Sequence, residues 1–272
     1  MKRQILASGL ALVAAVGTVT VPAAPAHAAT EVTVMSWNIA GAVVNAGADK
    51  WASHINHSLG EVVGLQEVCE GQVPEIEAAL EEHIGGDWVS FYGAAETFSW
   101  SCPGLDGFGQ ATFVPSSLNP RNPLRQQYSR ENCDGDPEDR AFLAVTVTLG
   151  SRNVRVFNTH MSTRNTGADS ACQAPQLVAA AQGWPNAIVM GDFNATPVDP
   201  APAVLRNAGF VDGHPADYLT VSNDHEDCNV QPTLKFDYIF FRGAVRPDPD
   251  PLVPMCNDAS DHRALVSSVT VS

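Results

Sequence analysis

Repeatedly along this chain, a short run of β-branched and apolar residues stops at a side chain that can bind a metal or move a proton. Val32 to Trp37 ends at Asn38, Val62 to Leu65 at Gln66-Glu67, Val154 to Thr159 at His160, and Ala187 to Met190 at Gly191-Asp192-Phe193-Asn194. Phe236 to Phe241 carries Asp237 near its start, and Leu265 to Val271 follows Ser260-Asp261-His262. Runs of this composition and length read as buried strands. Core strands that finish on reactive side chains deliver them to loops held by a rigid sheet. The pattern therefore asks for an α/β protein with one site where these ends converge.

The intervening segments fit that frame. Asp49 to Leu59 has helical character with Asp49 as N-cap. Val73, Ile76, Leu80 and Ile84 recur at helical spacing while Glu75, Glu77, Glu81 and Glu82 point away, an amphipathic surface helix. Trp88 to Val114 favours strands broken by the Gly-rich turn 104–109, and residues 115–139 are polar and turn-rich, which predicts a long surface loop. Phe142 to Leu149 and Val154 to Thr159 predict a hairpin about Gly150-Ser151.

Lys2 and Arg3, an apolar run from Ile5 to Val21 and the ending Ala26-His27-Ala28 read as a cleaved secretory signal over residues 1–28. The apolar run is shorter than the roughly 20 residues a spanning helix needs, so no membrane anchor is expected. Residues 29–272 carry no Ser/Gly or Pro-rich linker and no repeat, and are read as a single domain, secreted and extracellular. All six cysteines fall in that part. An even set entering an oxidising compartment predicts three disulfides, whose pairing the sequence does not choose. Zinc is the competing reading, but no C-x-x-C pair is present.

Loss of Lys2 and Arg3 would take the net charge from −15 to −17, which argues against gripping nucleic acid by bulk electrostatics. Arg121, Arg125, Arg130, Arg140, Arg152, Arg155 and Arg164 nevertheless share one stretch. Two readings stand: a local hold on a phosphate chain, or a scattered solvated surface.

Asp192 and Asn194, two residues apart, place a carboxylate and an amide where they can orient an attacking water and hold a phosphate oxygen; an ordinary turn is the bland alternative. Asn194-Ala195-Thr196 also fits a glycosylation sequon, though a sugar there would block the site. A histidine held by an aspartate, as at Asp261-His262 or across to Asp237, has a fixed tautomer and a stabilised cation. Glu67 could ligate a hard cation, and Mg²⁺ suits this oxygen-rich set better than zinc, with Mn²⁺ or Ca²⁺ as substitutes.

Ser-Trp-Asn-Ile (36–39), Leu-Gln-Glu-Val (65–68), Asn-Thr-His-Met (158–161), Gly-Asp-Phe-Asn (191–194), Phe-Asp-Tyr-Ile-Phe (236–240) and Ser-Asp-His (260–262), in that order, resemble the endonuclease/exonuclease/phosphatase superfamily typified by deoxyribonuclease I. The resemblance covers nearly the whole chain after residue 28. It implies a four-layer α/β sandwich in which two packed, mixed, mainly antiparallel β-sheets are flanked by helices. It further implies Glu67 as the main Mg²⁺ ligand with Asn38 and Asp261 beside it. Asp192 and Asn194 would position water and phosphate, and His160 and His262 would contact the phosphate, the second oriented by Asp237. One of the histidines or Asp192 would be the base in an in-line attack of water with no covalent intermediate.

The resemblance is incomplete at two places. Ala40 stands where some relatives carry an acid, and the glutamate that pairs with the first histidine in deoxyribonuclease I has only Glu96 as its nearest candidate. Arg140 opens a strand where such nucleases place a phosphate-contacting arginine, the alternative being a surface ion pair.

Other candidates are weaker. His54 and His57 are three apart on a predicted helix and read as a solvated face. Asp134 to Asp139 lacks the glycine and the final glutamate of a calcium loop. The 104–109 turn lacks nucleotide-binding spacing. The expected substrate is nucleic acid, DNA before RNA, cut by a monomer. A sphingomyelinase or phospholipase C type of diesterase, or a sugar or inositol phosphatase, would use the same chemistry, and the segment from Met161 to Gln176 is long enough to reshape the pocket. A fold that has lost activity and only binds is the non-enzymatic alternative.

Overall fold

The computed structural model describes residues 30–43, 46–97, 99–129, 138–163, 168–214, 218–221, 232–247 and 259–271. The expected signal segment, the Asp134 to Pro137 part of the calcium-loop candidate, Arg130, Arg164, Cys133, Cys228 and Cys256 lie outside the described residues.

The strands are β1 (Thr30–Asn38), β2 (Val62–Cys69), β3 (Trp88–Glu96), β4 (Phe108–Pro115), β5 (Arg121–Gln127), β6 (Ala141–Leu149), β7 (Arg152–His160), β8 (Ala187–Asp192), β9 (Val211–Asp212), β10 (Asp237–Arg242), β11 (Val245–Pro247) and β12 (Leu265–Val271). The helices are α1 (Ala48–His57), α2 (Gln72–His83), α3 (Ala168–Ala181) and α4 (Pro200–Asn207). Two six-stranded sheets result, in the orders β11-β12-β1-β2-β4-β3 and β5-β6-β7-β8-β10-β9. Within each, one central pair is parallel (β1 with β2, β7 with β8) and the remaining pairs are antiparallel.

Three apolar layers explain the stacking. Val34, Val62, Val145, Val156, Ile188, Met190 and Ile239 fill the space between the sheets. Trp51, Ile55, Ile76 and Leu80 of α1 and α2 cover the outer face of the first sheet. Leu177, Val178 and Leu205 of α3 and α4 cover the second against Phe157, Tyr238 and Phe240. Strands buried on both faces read as continuous apolar runs, which is why β2, β6 and β8 lack strict alternation. The four-layer α/β sandwich expected from the sequence is the observed architecture.

Asp49, expected as the N-cap of α1, lies inside its first turn, the cap position being Gly47, and one segment differs more widely. Within the predicted 115–139 loop, Arg121–Gln127 pairs with β6 as an edge strand. Apart from Pro123 and Leu124 its side chains are polar, all but Arg121 are exposed, and a register shift falls between Arg121 and Leu124. Main-chain pairing at an edge needs no apolar alternation, so the pattern was silent there.

A polar seam crosses the inter-sheet core just below the strand ends. Gln66 Nε2 donates to Asn158 Oδ1 at 2.7 Å, and Asn158 Nδ2 donates to Leu65 O at 3.0 Å and Ala111 O at 2.9 Å. Buried amides that find partners across two sheets fix the sheets' relative register.

Candidate active site

The parallel central pairs bring their carboxyl ends to one edge. Asn38 lies opposite Gln66, His160 opposite Asp192, and antiparallel β10 starts at Asp237 opposite Asp192. His262 precedes β12, which runs antiparallel to β1, so it arrives at the same edge.

Local backbone chemistry then aims each group. Glu67 sits at a bulge in β2 with φ 59°, and Ala40 and Asn194 also have left-handed φ of 47°. Such conformations cost of order 1–3 kcal/mol in non-glycine residues and persist where surrounding contacts over-determine them. Here they do: Gly41 N–H donates to Glu67 O, Ala40 N–H to Asn38 Oδ1, and Asn194 N–H to Asp192 Oδ1 at 2.8 Å. A Cβ on Gly41 would lie 2.7 Å from Glu67 O, so only glycine lets the loop after β1 lie this close to β2.

The disulfide between Cys69 and Cys102 ties the β3–β4 connection to the strand that carries Glu67. Asp106 adds to that anchor by accepting from Gly71 N–H at 2.6 Å and Gly107 N–H at 2.9 Å. Cys172 is also disulfide-bonded.

Asp192 is the hub. Asn38 Nδ2 donates to its Oδ2 at 3.1 Å and to Glu67 Oε1 at 3.0 Å, so one amide spaces two carboxylates. Asn194 Nδ2 donates to Met161 O at 3.0 Å, which braces the turn carrying the Asp192 contact. His160 Nε2 and His262 Nε2 approach Asp192 Oδ2 to 3.6 Å and 3.7 Å, longer than hydrogen bonds. Burial, then the neighbouring Asp237, push the Asp192 carboxyl up to about 7, against the opposing pull of His262, Asn194 and Asn38.

His262 donates from Nδ1 to Asp237 Oδ2 at 2.9 Å. Burial alone would hold its imidazole neutral, but Asp237, Asp192 and Asp261 outweigh it and raise it to about 10, so this ring is a cation at neutral pH. Its backbone is fixed by Ser260 Oγ, which accepts from His262 N–H at 3.1 Å and donates to Asn38 O at 2.6 Å. Asp237 N–H donates to Thr220 Oγ1 at 3.3 Å, which leaves its carboxylate to the histidine.

His160 is different. Burial, then Arg140 and His262, hold it well below the ordinary histidine range. The group at its Nδ1 is Arg140 Nη1, 3.2 Å away, while Arg140 Nη2 pairs with Glu138 at 2.6 Å. Glu96, the sequence candidate for this place, ends β3 opposite Phe108.

Ligand atoms of Asp192, Asp237 and His262 lie within 4.8 Å of one another. Asp237 Oδ1 is buried without a hydrogen-bond partner. With Glu67 joined to Asp192 through Asn38, the donor set is dominated by carboxylate oxygen and fits a hard divalent cation. Asn38 spends one lone pair of Oδ1 on Ala40 N–H, and an amide oxygen has a second. Asp261 stands at the rim, half-buried, its Oδ1 3.4 Å from Ser260 Oγ.

Every strand-end residue named from sequence is therefore gathered here, with Asp261 outermost and Arg140 behind His160. Arg121, Arg125 and Arg155 of the arginine stretch are not. Arg121 donates to Asn119 O, Thr148 and Asn153, Arg125 to Ala94 O and Ala95 O, and Arg155 to Asn122 O and Thr146. These three guanidinium groups stitch the second sheet and its neighbours together. His57 turns to Ser53 O and His54 packs edge-on against Trp37, so this pair is not a metal site. Thr220 and Glu138 carry no motif and were not legible.

The sequence profile of the Endonuclease/Exonuclease/phosphatase family matches residues 35–262. Three solved structures share the fold. Human Nocturnin's catalytic domain with bound sulfate is 20% identical, with a TM-score of 0.69 over 89% of this chain and 94% of that one. D. rerio TDP2 complexed with single-strand DNA product is 18% identical, with a TM-score of 0.61 over 88% and 98%. A mannosyl-6-phosphatase of Bacteroides thetaiotaomicron is 16% identical, with a TM-score of 0.66 over 88% and 99%. No curated protein matches the chain significantly.

Proposed function

This chain belongs to the endonuclease/exonuclease/phosphatase family of phosphoric ester hydrolases, and from that premise we propose that it is a secreted, Mg²⁺-dependent phosphodiesterase that cuts nucleic acid by in-line attack of water. The observation that carries this reading is the single carboxylate, Asp192, flanked by two histidines on one oxygen and by a backbone N–H on the other.

Glu67, with Asn38 and Asp261 beside it, would hold the cation; bound there, it would supply charge to offset the phosphoryl oxygens and lower the pKa of water. Asp192 is the proton acceptor the geometry favours. His262 is already protonated, and His160 faces a guanidinium at Nδ1. The carboxylate at the hub therefore takes the proton of the attacking water. His262, held by Asp237, presents Nε2–H as a cationic donor to a phosphoryl oxygen, and His160 presents a second donor.

A compact phosphoester, such as a lipid headgroup diester or a sugar phosphate, is the second reading. It is favoured by Arg121, Arg125 and Arg155, whose guanidinium groups serve the protein's own oxygens rather than a phosphate track. The described helices include none long and apolar enough to cross a membrane.

Purified protein assayed with Mg²⁺ on plasmid DNA, RNA, sphingomyelin and a phosphomonoester in parallel separates the readings. Turnover of DNA or RNA supports the first and turnover of the others alone supports the second. Inactivity on all four, with Mn²⁺ and Ca²⁺ also tried, overturns both.

A further inference from the structure

We propose that Arg140 is a positioning residue that locks His160 in the tautomer bearing its proton on Nε2, so that this imidazole meets the phosphoester as a hydrogen-bond donor and never as a base. The proposal rests on the phosphoesterase reading for its consequence, and on geometry alone for the tautomer.

A guanidinium has five N–H donors and no acceptor. Arg140 Nη1 lies 3.2 Å from His160 Nδ1, and that contact is a hydrogen bond only if Nδ1 offers its lone pair. A proton on Nδ1 would set N–H against N–H beside a full positive charge. The remaining proton of the neutral ring therefore sits on Nε2.

The guanidinium cannot readily turn away. Arg140 is 5% exposed, its carbonyl accepts from Tyr128 N–H at 2.8 Å, and Nη2 is held by Glu138 at 2.6 Å. It sits where β6 begins, beside the end of β7 that carries His160.

The consequence falls on the other nitrogen. His160 Nε2 is buried and has no hydrogen-bond partner, and Asp192 Oδ2 at 3.6 Å is too far to be one. A buried, unspent N–H aimed beside the hub carboxylate is a place kept for a ligand oxygen. A carboxylate at Nδ1 would have done the reverse: it would draw the proton to Nδ1 and expose a lone pair at Nε2, which is how a histidine base is built. Arginine in that place converts the ring to a fixed electrophile. It also means that Arg140 acts through His160 and does not itself grip a polynucleotide backbone. No proton changes hands in this role; Nε2–H donates to a phosphoryl oxygen throughout.

The test is nitrogen-15 NMR of the ring of His160 in the folded chain, with the signal identified by its loss in His160→Gln. The expected result is a protonated Nε2 and a bare Nδ1. In Arg140→Glu the tautomer should invert, and kcat on whichever phosphoester is turned over should fall about 100-fold with KM little changed. Arg140→Lys, still a donor, should keep the tautomer and recover most of the loss. Arg140→Met, which keeps the apolar stem, should give a mixture of tautomers. A wild-type ring protonated on Nδ1 overturns the proposal whether or not the variants fold. So does an Arg140→Glu protein that keeps the wild-type tautomer and kcat. If no phosphoester is turned over by the wild type, the functional reading fails while the ring nitrogens still decide the tautomer.

Discussion

His160 and His262 approach the same oxygen of Asp192, at 3.6 Å and 3.7 Å, and both are buried, yet one is neutral and the other a cation. Burial pulls both downward. At His160 the neighbouring Arg140 and His262 pull further in the same direction, whereas at His262 the carboxylates of Asp237, Asp192 and Asp261 reverse it and lift the ring to about 10. What differs is the partner at Nδ1, an arginine in one case and an aspartate in the other. Depth is the largest single influence on each ring, and the combined pull of three carboxylates is what reverses it at His262. One carboxylate oxygen is thereby neighboured by a cationic imidazole and a neutral one.

Removing the shared carboxylate breaks both sides at once and has the largest expected effect. Asp192→Asn should lower kcat by about 10⁴, the upper range for loss of a general base, with far-UV circular dichroism unchanged. Retention of near-wild-type turnover would exclude Asp192 as the proton acceptor.

Next in size is burial acting without a carboxylate. His214, with Nε2 on Val266 O at 3.0 Å, is lowered to about 4 by burial, with Lys235 adding to the shift and the Val266 contact opposing it. Its ordinary value is 6.5, so as pH falls below that the unfolded chain takes up a proton the native chain refuses. Stability is then lost between about pH 6.5 and 4, by about 3 kcal/mol for a shift of this size, and none of this loss occurs above that window. Urea denaturation across the window measures it, and His214→Gln should flatten the curve. An unchanged slope would show that His214 is not held neutral.

Asp237→Asn then isolates the acidic partner. The titration of His262 should drop toward that of the other buried histidines, and kcat should fall about 100-fold, as for loss of one charged donor. Smallest is His160→Gln, which replaces one neutral donor by another. It should cost only about tenfold in kcat, much less than the same change at His262. Equal losses at the two histidines would erase the distinction between them.

The gathering of the site was legible because strands speak through composition. β-Branched runs located the ends of β1, β2, β7 and β8, and residues there have little choice of direction. What stood in the sequence without being readable is the set of cross-chain partners. Arg140 could have faced a phosphate or a neighbour. Which one depends on side-chain torsions and on the proximity of β6 to β7, not on spacing. The exposed edge strand β5 and the choice of Cys69 for Cys102 were silent for related reasons, since neither main-chain pairing nor disulfide pairing leaves a periodic trace. Helices α3 and α4 lie in segments rich in alanine and proline, with Pro175 inside α3 and Pro200 opening α4, where helical periodicity is blurred.

The residue just before the hub carboxylate holds one further consequence. Gly191 has φ 145°, and a Cβ there would collide with the Thr159 carbonyl of β7. Strands β7 and β8 are thus closer at this point than any side chain permits, and that closeness sets the gap between His160 and Asp192. In a mutational survey, position 191 would score with the reactive residues although it has no functional group. A change as small as one methyl would act as a wedge between the two strands, disabling the chemistry from a place no substrate touches.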